Sequence, residues 1–243
     1  RPPRSTPSNS SAASDVYKRQ LLPIIASFPT WLIGRLRNGL SKYFALGVSS
    51  IVLALSILAW MMFENHSLLP SSLHISSAER AALSSGSWAL IESITWIESV
   101  GMSYALGVDG LSLPLVLLSG FIFFVSVLAS FKEIHDREPA YYAMLMLLET
   151  GVMGTFVAID WVIFYVAWEL VLVPMFFLIG IWGGPRKEYA AIYFFIYTHV
   201  ASLVMLLGII GMWLQYATET GGSGTFSFIL LSPVSYTHLR AHE

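Results

Sequence analysis

Three titratable side chains stand inside long apolar stretches of the 243-residue chain: Glu149, Glu169 and His199. A carboxylate or an imidazole near the centre of a bilayer is costly unless it faces protein or water, so such groups commonly mark a proton or ion pathway. Glu169 is the first candidate, because Pro174 follows it by little more than one turn and frees a backbone carbonyl where the helix can kink. These residue types indicate proton transfer.

Each of the three residues also has a purely structural interpretation. Glu149 is followed closely by Gly151 and Gly154, where helices can approach each other, and it could be a hydrogen-bonded packing acid. The same holds for Glu169. His199 could be a hydrogen-bonding packing residue or a proton relay. Metal binding is not predicted, because the histidines show no ligand spacing.

A tight turn at Asp160 separates the stretches that hold the two glutamates. At 1.5 Å per residue, Glu149 and Glu169 lie at about the same depth from that turn. Antiparallel neighbours joined so closely could bring the two carboxyl groups together, and two carboxylates in one dry site cannot easily both ionise. The sequence leaves open whether the two acids form a pair.

The composition is that of a membrane protein. Hydrophobic residues make up 56% of the chain and charged residues 12%, and the mean hydropathy is +0.68, whereas soluble domains carry about 25% charged residues. The chain has no cysteine, which excludes disulfides, thiolate metal sites and iron–sulfur ligation by these residues. The net charge of −2 and the lack of a basic stripe argue against a nucleic-acid partner.

The apolar stretches are long enough to cross a bilayer repeatedly. A spanning helix needs about 20 mainly apolar residues. The first stretch is too short to cross alone and is expected to be the remainder of a longer span. The six predicted spans are Leu21–Gly34, Tyr43–Phe63, Leu111–Phe131, Tyr141–Ala158, Trp161–Trp182 and Tyr193–Tyr216.

The loops between the spans differ in length and in charge. Residues 64–110 form a long Ser-rich loop, which is predicted to hold a partly interfacial amphipathic element or a short hairpin. The three short loops are basic, whereas the opposite loops contain only Arg80, so the short loops are predicted to be cytoplasmic and residues 64–110 and 217–233 extracytoplasmic. The basic residues of the short loops are Arg35, Arg37, Lys42, Lys132, Arg137, Arg186 and Lys187.

The two ends of the chain do not resemble the rest. Residues 1–20 are polar and rich in Ser and Pro, and DVYKRQ at 15–20 and VSYTH at 234–238 can be encoded by the two strands of one inverted DNA repeat. This pattern resembles a translated sequencing adapter. Residues 1–20 and 234–243 are therefore expected to be non-native tails that do not pack against the spans.

Four sequence segments resemble one family of membrane subunits. They are VDGLSL at 108–113, AID at 158–160, YVAWELVLVPMFFLIGIWG at 165–183 and FFIYTHVASLVMLLGIIGMW at 194–213. In order and spacing they resemble the M subunits, also called chain 4, of proton-pumping NADH–quinone oxidoreductases (respiratory complex I), which belong to the antiporter-like family.

The resemblance implies an all-α polytopic membrane protein. The chain would be an N-terminal fragment, with about six transmembrane helices, of a fold of about fourteen helices built from inverted repeats. Residues 21–63 would hold the first two helices, and residues 111–216 would begin the proton-translocating domain. Glu169 matches the family's key glutamate, whose lysine partner would lie in a later helix beyond this chain.

The resemblance also implies where the redox chemistry takes place. NADH, FMN, iron–sulfur clusters and quinone would be bound by partner subunits, and this chain would hold no cofactor and no metal. Its partners would be other membrane subunits of complex I, above all sister antiporter-like subunits, in a bacterial cytoplasmic membrane or an organellar inner membrane. A cation/proton antiporter subunit without redox chemistry is the alternative, and Pro174-Met175 after the Trp-Glu pair favours the M type.

Overall fold

The structure is a mostly helical bundle with one two-stranded hairpin. The computed structural model describes residues 22–36, 39–65, 89–222 and 224–231, so the expectations for residues 1–20, for 234–243 and for Arg80 lie outside the described residues. The elements are α1 (Leu22–Leu36), α2 (Leu40–Asn65), β1 (Ala89–Ile97), β2 (Met102–Val108), α3 (Ser112–Glu133), α4 (Glu138–Val157), α5 (Trp161–Trp182) and α6 (Lys187–Thr220).

Five helices in the described part of the chain, α2 to α6, are long and apolar enough to cross a membrane. The prediction of a polytopic helical membrane protein is confirmed. α1 has 15 residues, or about 23 Å at 1.5 Å per residue, and is too short to cross alone, as the sequence predicts. The strand pair is a departure from an all-α fold.

The helices extend beyond the apolar stretches from which they were predicted. α6 begins at Lys187 rather than Tyr193 and ends at Thr220 rather than Tyr216. Its 34 residues span about 51 Å, whereas the hydrocarbon core is about 30 Å thick. Hydropathy detects only the part of a helix that lies in lipid, so the polar turns at both ends were missed.

The long loop contains a hairpin, one of the two structures left open by the sequence. β1 and β2 pair antiparallel, with Ile94 opposite Tyr104. Gly101 closes the turn with φ +68°, a conformation that costs a side-chain-bearing residue about 1–2 kcal/mol. A Cβ at this position would also collide with the carbonyl oxygen of Gly224. The turn therefore requires glycine for two independent reasons.

Extended segments cover the end of the bundle that carries the hairpin. The amide of Ile159, between α4 and α5, donates to the carbonyl of Ala105 in β2 at 3.0 Å. The amide of Phe228 donates to the carbonyl of Ile159 at 2.8 Å. The turn between α4 and α5 thus lies between the hairpin and residues 226–228, and the backbone groups of this connection are hydrogen-bonded.

The basic loops lie together at the opposite end of the bundle. Lys42 at the start of α2 lies 5.8 Å from the ring centroid of Phe131 near the end of α3. The indole of Trp182 at the end of α5 donates to the carbonyl of Asp136 before α4 at 2.9 Å. The predicted grouping of these loops on one side agrees with these contacts.

Two glycines allow α4 and α5 to approach closely. A Cβ on Gly151 would lie 2.8 Å from Cγ2 of Val171, and one on Gly154 would lie 2.9 Å from Cβ of Ala167. Both distances are shorter than van der Waals contact, so any side chain would push the helices apart. The expected close approach at these glycines is confirmed, and it fixes the rotation of α4 against α5.

The predicted orientation can be tested by cysteine labelling of a full-length protein in which any cysteine outside these 243 residues has been replaced, since the 243 residues contain none. In the full-length protein, Lys132→Cys should react with a membrane-impermeant maleimide only from the cytoplasmic side. Glu98→Cys, in the exposed turn of the hairpin, should react only from the opposite side. Reaction of both cysteines from one side would contradict the span assignment, since the two residues flank α3.

Candidate functional site

Glu169 lies inside α5 and faces α6. It stands eight residues after Trp161, the first residue of α5, or about 12 Å along the helix axis. The hydroxyl of Ser202 donates a short hydrogen bond to Oε1 of Glu169. Nδ1 of His199 lies 3.3 Å from Oε2 of the same carboxyl group. The two carboxyl oxygens are thus in contact with two different side chains of α6.

Ser202 can serve both protonation states of Glu169. Its hydroxyl lies within hydrogen-bond distance of Oε1 of Glu169 and, at 2.9 Å, of the backbone carbonyl of His199. A hydroxyl carries one hydrogen and two acceptor lone pairs. It can donate to an ionised Glu169, or accept from a protonated Glu169 while it donates to the carbonyl. Neither state leaves the serine hydrogen without an acceptor.

Two aromatic side chains complete the contacts of the site. Tyr165, one turn before Glu169 on the same face of α5, interacts with both Glu169 and Ser202. The ring of Phe195, one turn before His199, stacks on the imidazole with centroids 5.4 Å apart and an interplanar angle of 8°. Spacing of three or four residues places these side chains on a common helix face. We call Tyr165, Glu169, Phe195, His199 and Ser202 the α5–α6 cluster.

Glu149 points to a different helix. It is fully buried, and its Oε2 accepts a hydrogen bond of 3.2 Å from the hydroxyl of Ser49 in α2. Its other oxygen, Oε1, has no hydrogen-bond partner among the described residues. This geometry is compatible with both interpretations of Glu149, a packing acid and a proton site.

The two glutamates therefore do not share a hydrogen-bonded site in the described structure, although the sequence left such a pair open. The reason is rotational: successive residues turn by about 100° around a helix axis. Gly151 and Ala167 face each other across the α4–α5 contact. Glu149 and Glu169, each two residues away from these, point to the far sides of their helices. The two glutamates do lie at equal depth on adjacent helices, as predicted. The packing of the α4–α5 glycines, however, determines the direction in which each carboxyl group points.

Asp160, expected from the sequence to lie in a tight turn, also has structural contacts at the hairpin end. Its exposed fraction is 1%. Oδ1 accepts from the amide of Val162 at 2.8 Å and caps α5, and Oδ2 accepts from the amide of Ser103 in β2 at 3.0 Å. Burial raises the pKa of Asp160, and the hydrogen bonds from Ser103, Val162 and Ile163 oppose that rise. An acidic residue directly before an apolar helix is the sequence signal for the helix cap. No local sequence signal predicts the hydrogen bond from the amide of Ser103.

No group of three metal-ligating side chains occurs in the described ranges of the chain. The α5–α6 cluster contains one carboxyl, one imidazole and three residues that are poor ligands for a metal ion. Its groups can instead hold, donate and accept protons. The arrangement suits proton exchange between a carboxyl and an imidazole through short contacts inside a helix pair.

Two family models match the chain in sequence order. Residues 48–158 match the model described as NADH-ubiquinone oxidoreductase chain 4, amino terminus, and residues 158–232 match the model described as NADH:quinone oxidoreductase/Mrp antiporter, TM. Together they cover the chain from α2 to the residues beyond α6 without a gap. The chain resembles the chain 4 (subunit M) proteins in both parts. The resemblance noted in the sequence is confirmed.

Two relatives of this chain belong to complexes with different names. F(420)H(2) dehydrogenase subunit M of Methanosarcina mazei is 45% identical over 130 residues, which are 54% of this chain and 26% of that protein. NADH-quinone oxidoreductase subunit M of Escherichia coli K12 is 35% identical over 222 residues, which are 88% of this chain and 41% of that protein. The chain thus spans well under half the length of these curated relatives.

A solved structure is similar to this chain in fold. Respiratory complex I from Thermus thermophilus with bound NADH contains a chain that is similar with a TM-score of 0.62 and 22% sequence identity. The similarity covers 87% of this chain and 38% of that chain. It supports the helical arrangement on which the α5–α6 cluster depends.

Proposed function

We propose that this chain is part of a proton-translocating membrane subunit of a quinone-reducing oxidoreductase complex. The observation that carries the proposal is Glu169, a carboxyl group within the membrane-spanning helix α5, held between Ser202 and His199 of α6. An acid at this depth is costly unless it has a function or polar partners. Here its partners are groups that can exchange protons with it.

The proposed role of Glu169 is to take up and release one proton per cycle. Electron transfer in partner subunits would change the electrostatic potential at the carboxyl group of Glu169. The carboxyl group would then bind or release a proton. As the family resemblance implies, a lysine partner would lie in a later helix of the full-length subunit. The Ser202 hydroxyl lowers the reorganisation needed on each transfer, because it can reverse its hydrogen bond without leaving the site.

Redox centres are proposed to reside in partner subunits. The absence of cysteine from all 243 residues supports this, since iron–sulfur clusters are held by thiolates. NADH, FMN, iron–sulfur clusters and quinone would be bound there, and the partners of this chain would be the other membrane subunits of the complex. The proposed location is a bacterial cytoplasmic membrane, with the basic loops on the cytoplasmic side.

One comparison supports a second candidate for the electron donor. The 45% identity with F(420)H(2) dehydrogenase subunit M favours a complex that oxidises F420H2 instead of NADH. The proton-translocating role of this chain would be the same in both complexes, because the donor is oxidised elsewhere. A cation/proton antiporter without redox chemistry is the remaining alternative.

Purification of the full-length protein from its source membranes distinguishes these functions. With an affinity tag on the chromosomal copy, we expect flavin-containing and iron–sulfur partners to copurify and the preparation to reduce a quinone analogue. Activity with NADH would support the first candidate, and activity with F420H2 alone would support the second. Partners without redox centres, together with cation/proton exchange in reconstituted vesicles, would contradict the proposal.

A further inference from the structure

His199 makes a contact that neither a packing role nor the proposed role of Glu169 requires. Its Nδ1 lies 3.3 Å from Oε2 of Glu169 and is itself buried, but it has no aligned hydrogen bond. The side chain as a whole is 43% exposed, so the exposed part of the imidazole is its remaining edge. Nδ1 of His199 therefore faces Glu169, while another part of the imidazole is exposed outside the contact between α5 and α6.

We infer that His199 exchanges a proton with Glu169 and passes it on through the other nitrogen of its ring. This inference rests on the proposed function, because it assigns the step that follows proton uptake by Glu169. It makes His199 a member of the proton path and not a support for it.

The step is a simple transfer between two groups already in contact. The O–H bond at Oε2 of protonated Glu169 breaks, and an N–H bond forms at Nδ1 of neutral His199, leaving a carboxylate beside an imidazolium. The proton at Nε2 then leaves to water or to a group of the full-length protein on the exposed side. The ring is neutral again, with its proton on Nδ1, and a half-turn of the ring, which presents the unprotonated Nε2 to Glu169, prepares it for the next proton. No oxidant or other reactant is needed.

Neighbouring residues hold the imidazole in the orientation that the transfer needs. The parallel ring of Phe195 favours the two orientations, related by a half-turn, in which the imidazole lies flat against it, since a tilted ring would lose the stacked contact. Ser202 engages the other carboxyl oxygen, Oε1, and so leaves Oε2 free to face Nδ1. The site therefore presents one carboxyl oxygen to the serine and the other to the histidine.

The ionised pair formed by the transfer is stabilised by its own geometry. A carboxylate and an imidazolium 3.3 Å apart attract each other strongly away from bulk water. The titratable groups that meet this pair from α5 are Glu169 itself and Tyr165, and neither carries a positive charge that would oppose protonation of His199.

The test uses His199→Gln in the full-length subunit within its complex, in inverted membrane vesicles. Glutamine retains hydrogen bonding but cannot carry the proton onward. We expect donor-driven proton pumping to fall by about a hundredfold, the low end for the loss of a positioned proton-transfer group, with normal assembly. Tyr197→Phe is the matched control, because Tyr197 lies on the same turn of α6 with 71% exposure and should pump like the wild type.

Two further readouts separate proton transfer from packing. Pumping by the wild type should depend on pH in part through protonation of His199, and His199→Gln should lose that part of the dependence. If Glu169 and His199 act in one path, Glu169→Gln with His199→Gln should be no worse than Glu169→Gln alone, because groups acting as a unit are not additive. A packing role would give additive losses and an unchanged pH profile.

Normal pumping and an unchanged pH profile in assembled His199→Gln would overturn the inference, provided that Glu169→Gln fails to pump. If Glu169→Gln itself pumps normally, the proposed function is wrong and the inference fails with it. The two failures are therefore distinguishable. Additive losses in the double variant would also overturn the inference.

Discussion

Glu169→Gln in the full-length subunit should abolish most proton pumping while the complex still assembles. Glutamine has nearly the size of glutamate, and its amide can still bond to the hydroxyl of Ser202, so the α5–α6 contact should persist. It cannot bind and release a proton, however. Because every proton in the proposed path passes through this carboxyl group, the expected loss is about a hundredfold or more, within the range for removal of a proton-transfer group.

The measurement is the rate of vesicle acidification per quinone reduced, with subunit abundance determined on the same membranes. Glu169→Asp should pump partially, because the carboxyl group remains but its shorter side chain withdraws it from Ser202 and His199. Glu188→Gln is the matched control: Glu188 lies exposed in the first turn of α6, outside the cluster, and should pump normally. A wild-type proton-to-quinone ratio in Glu169→Gln would show that Glu169 is a packing acid.

The spans and the intramembrane acids could be read from the sequence because both depend on local chemistry. Apolar runs of about 20 residues have few alternatives to a membrane helix, and a glutamate inside such a run stands out from its neighbours. The ends of α6 could not be read in this way. Lys187 and Thr220 lie where the helix leaves the lipid, and hydropathy carries no information about helical turns in water.

The partners of the acids depended on packing that sequence spacing does not determine. Glu149 and Glu169 lie at matching depths, but the glycines at the α4–α5 contact turn the two carboxyl groups to opposite sides. The contact of Glu169 with His199 joins residues 30 positions apart on different helices, and it depends on the rotation of α6 about its axis. The depth of the two glutamates in the membrane was therefore predictable from the sequence, whereas the direction in which their side chains point required the structure.

The hairpin end holds the second large expected effect, at Asp160. Truncation by Asp160→Ala would remove the α5 cap, worth about 1 kcal/mol, and leave the part-buried amide of Ser103 without its acceptor, worth about 1–3 kcal/mol. We expect a loss of about 2–4 kcal/mol in stability. Asp160→Asn should lose less, because its amide oxygen can still accept from Val162.

The contribution of the Asp160 carboxyl group to the free energy of unfolding depends on pH, and the sign of that dependence can be stated. Burial raises the pKa of Asp160 above the ordinary value of 3.8, so the folded protein binds this proton more readily than the unfolded chain. Stability from this carboxyl group is thus greatest below pH 3.8 and falls as the pH rises through the raised pKa. Asp160→Asn does not titrate and should lack this component, seen as a difference from the wild type in the same pH series.

Hydrogen–deuterium exchange on the purified full-length complex would locate the effect of Asp160. Because Oδ2 accepts from the amide of Ser103, Asp160→Ala should speed exchange in peptides from β2 and shorten the thermal half-life of the complex. Asp136→Asn, at the opposite end of the bundle, is the control: its backbone carbonyl still accepts from Trp182, so both measurements should be unchanged. Wild-type exchange of β2 in Asp160→Ala would show that the hairpin is held to α5 by its backbone pairing with residues 158–159 and not by this carboxyl group.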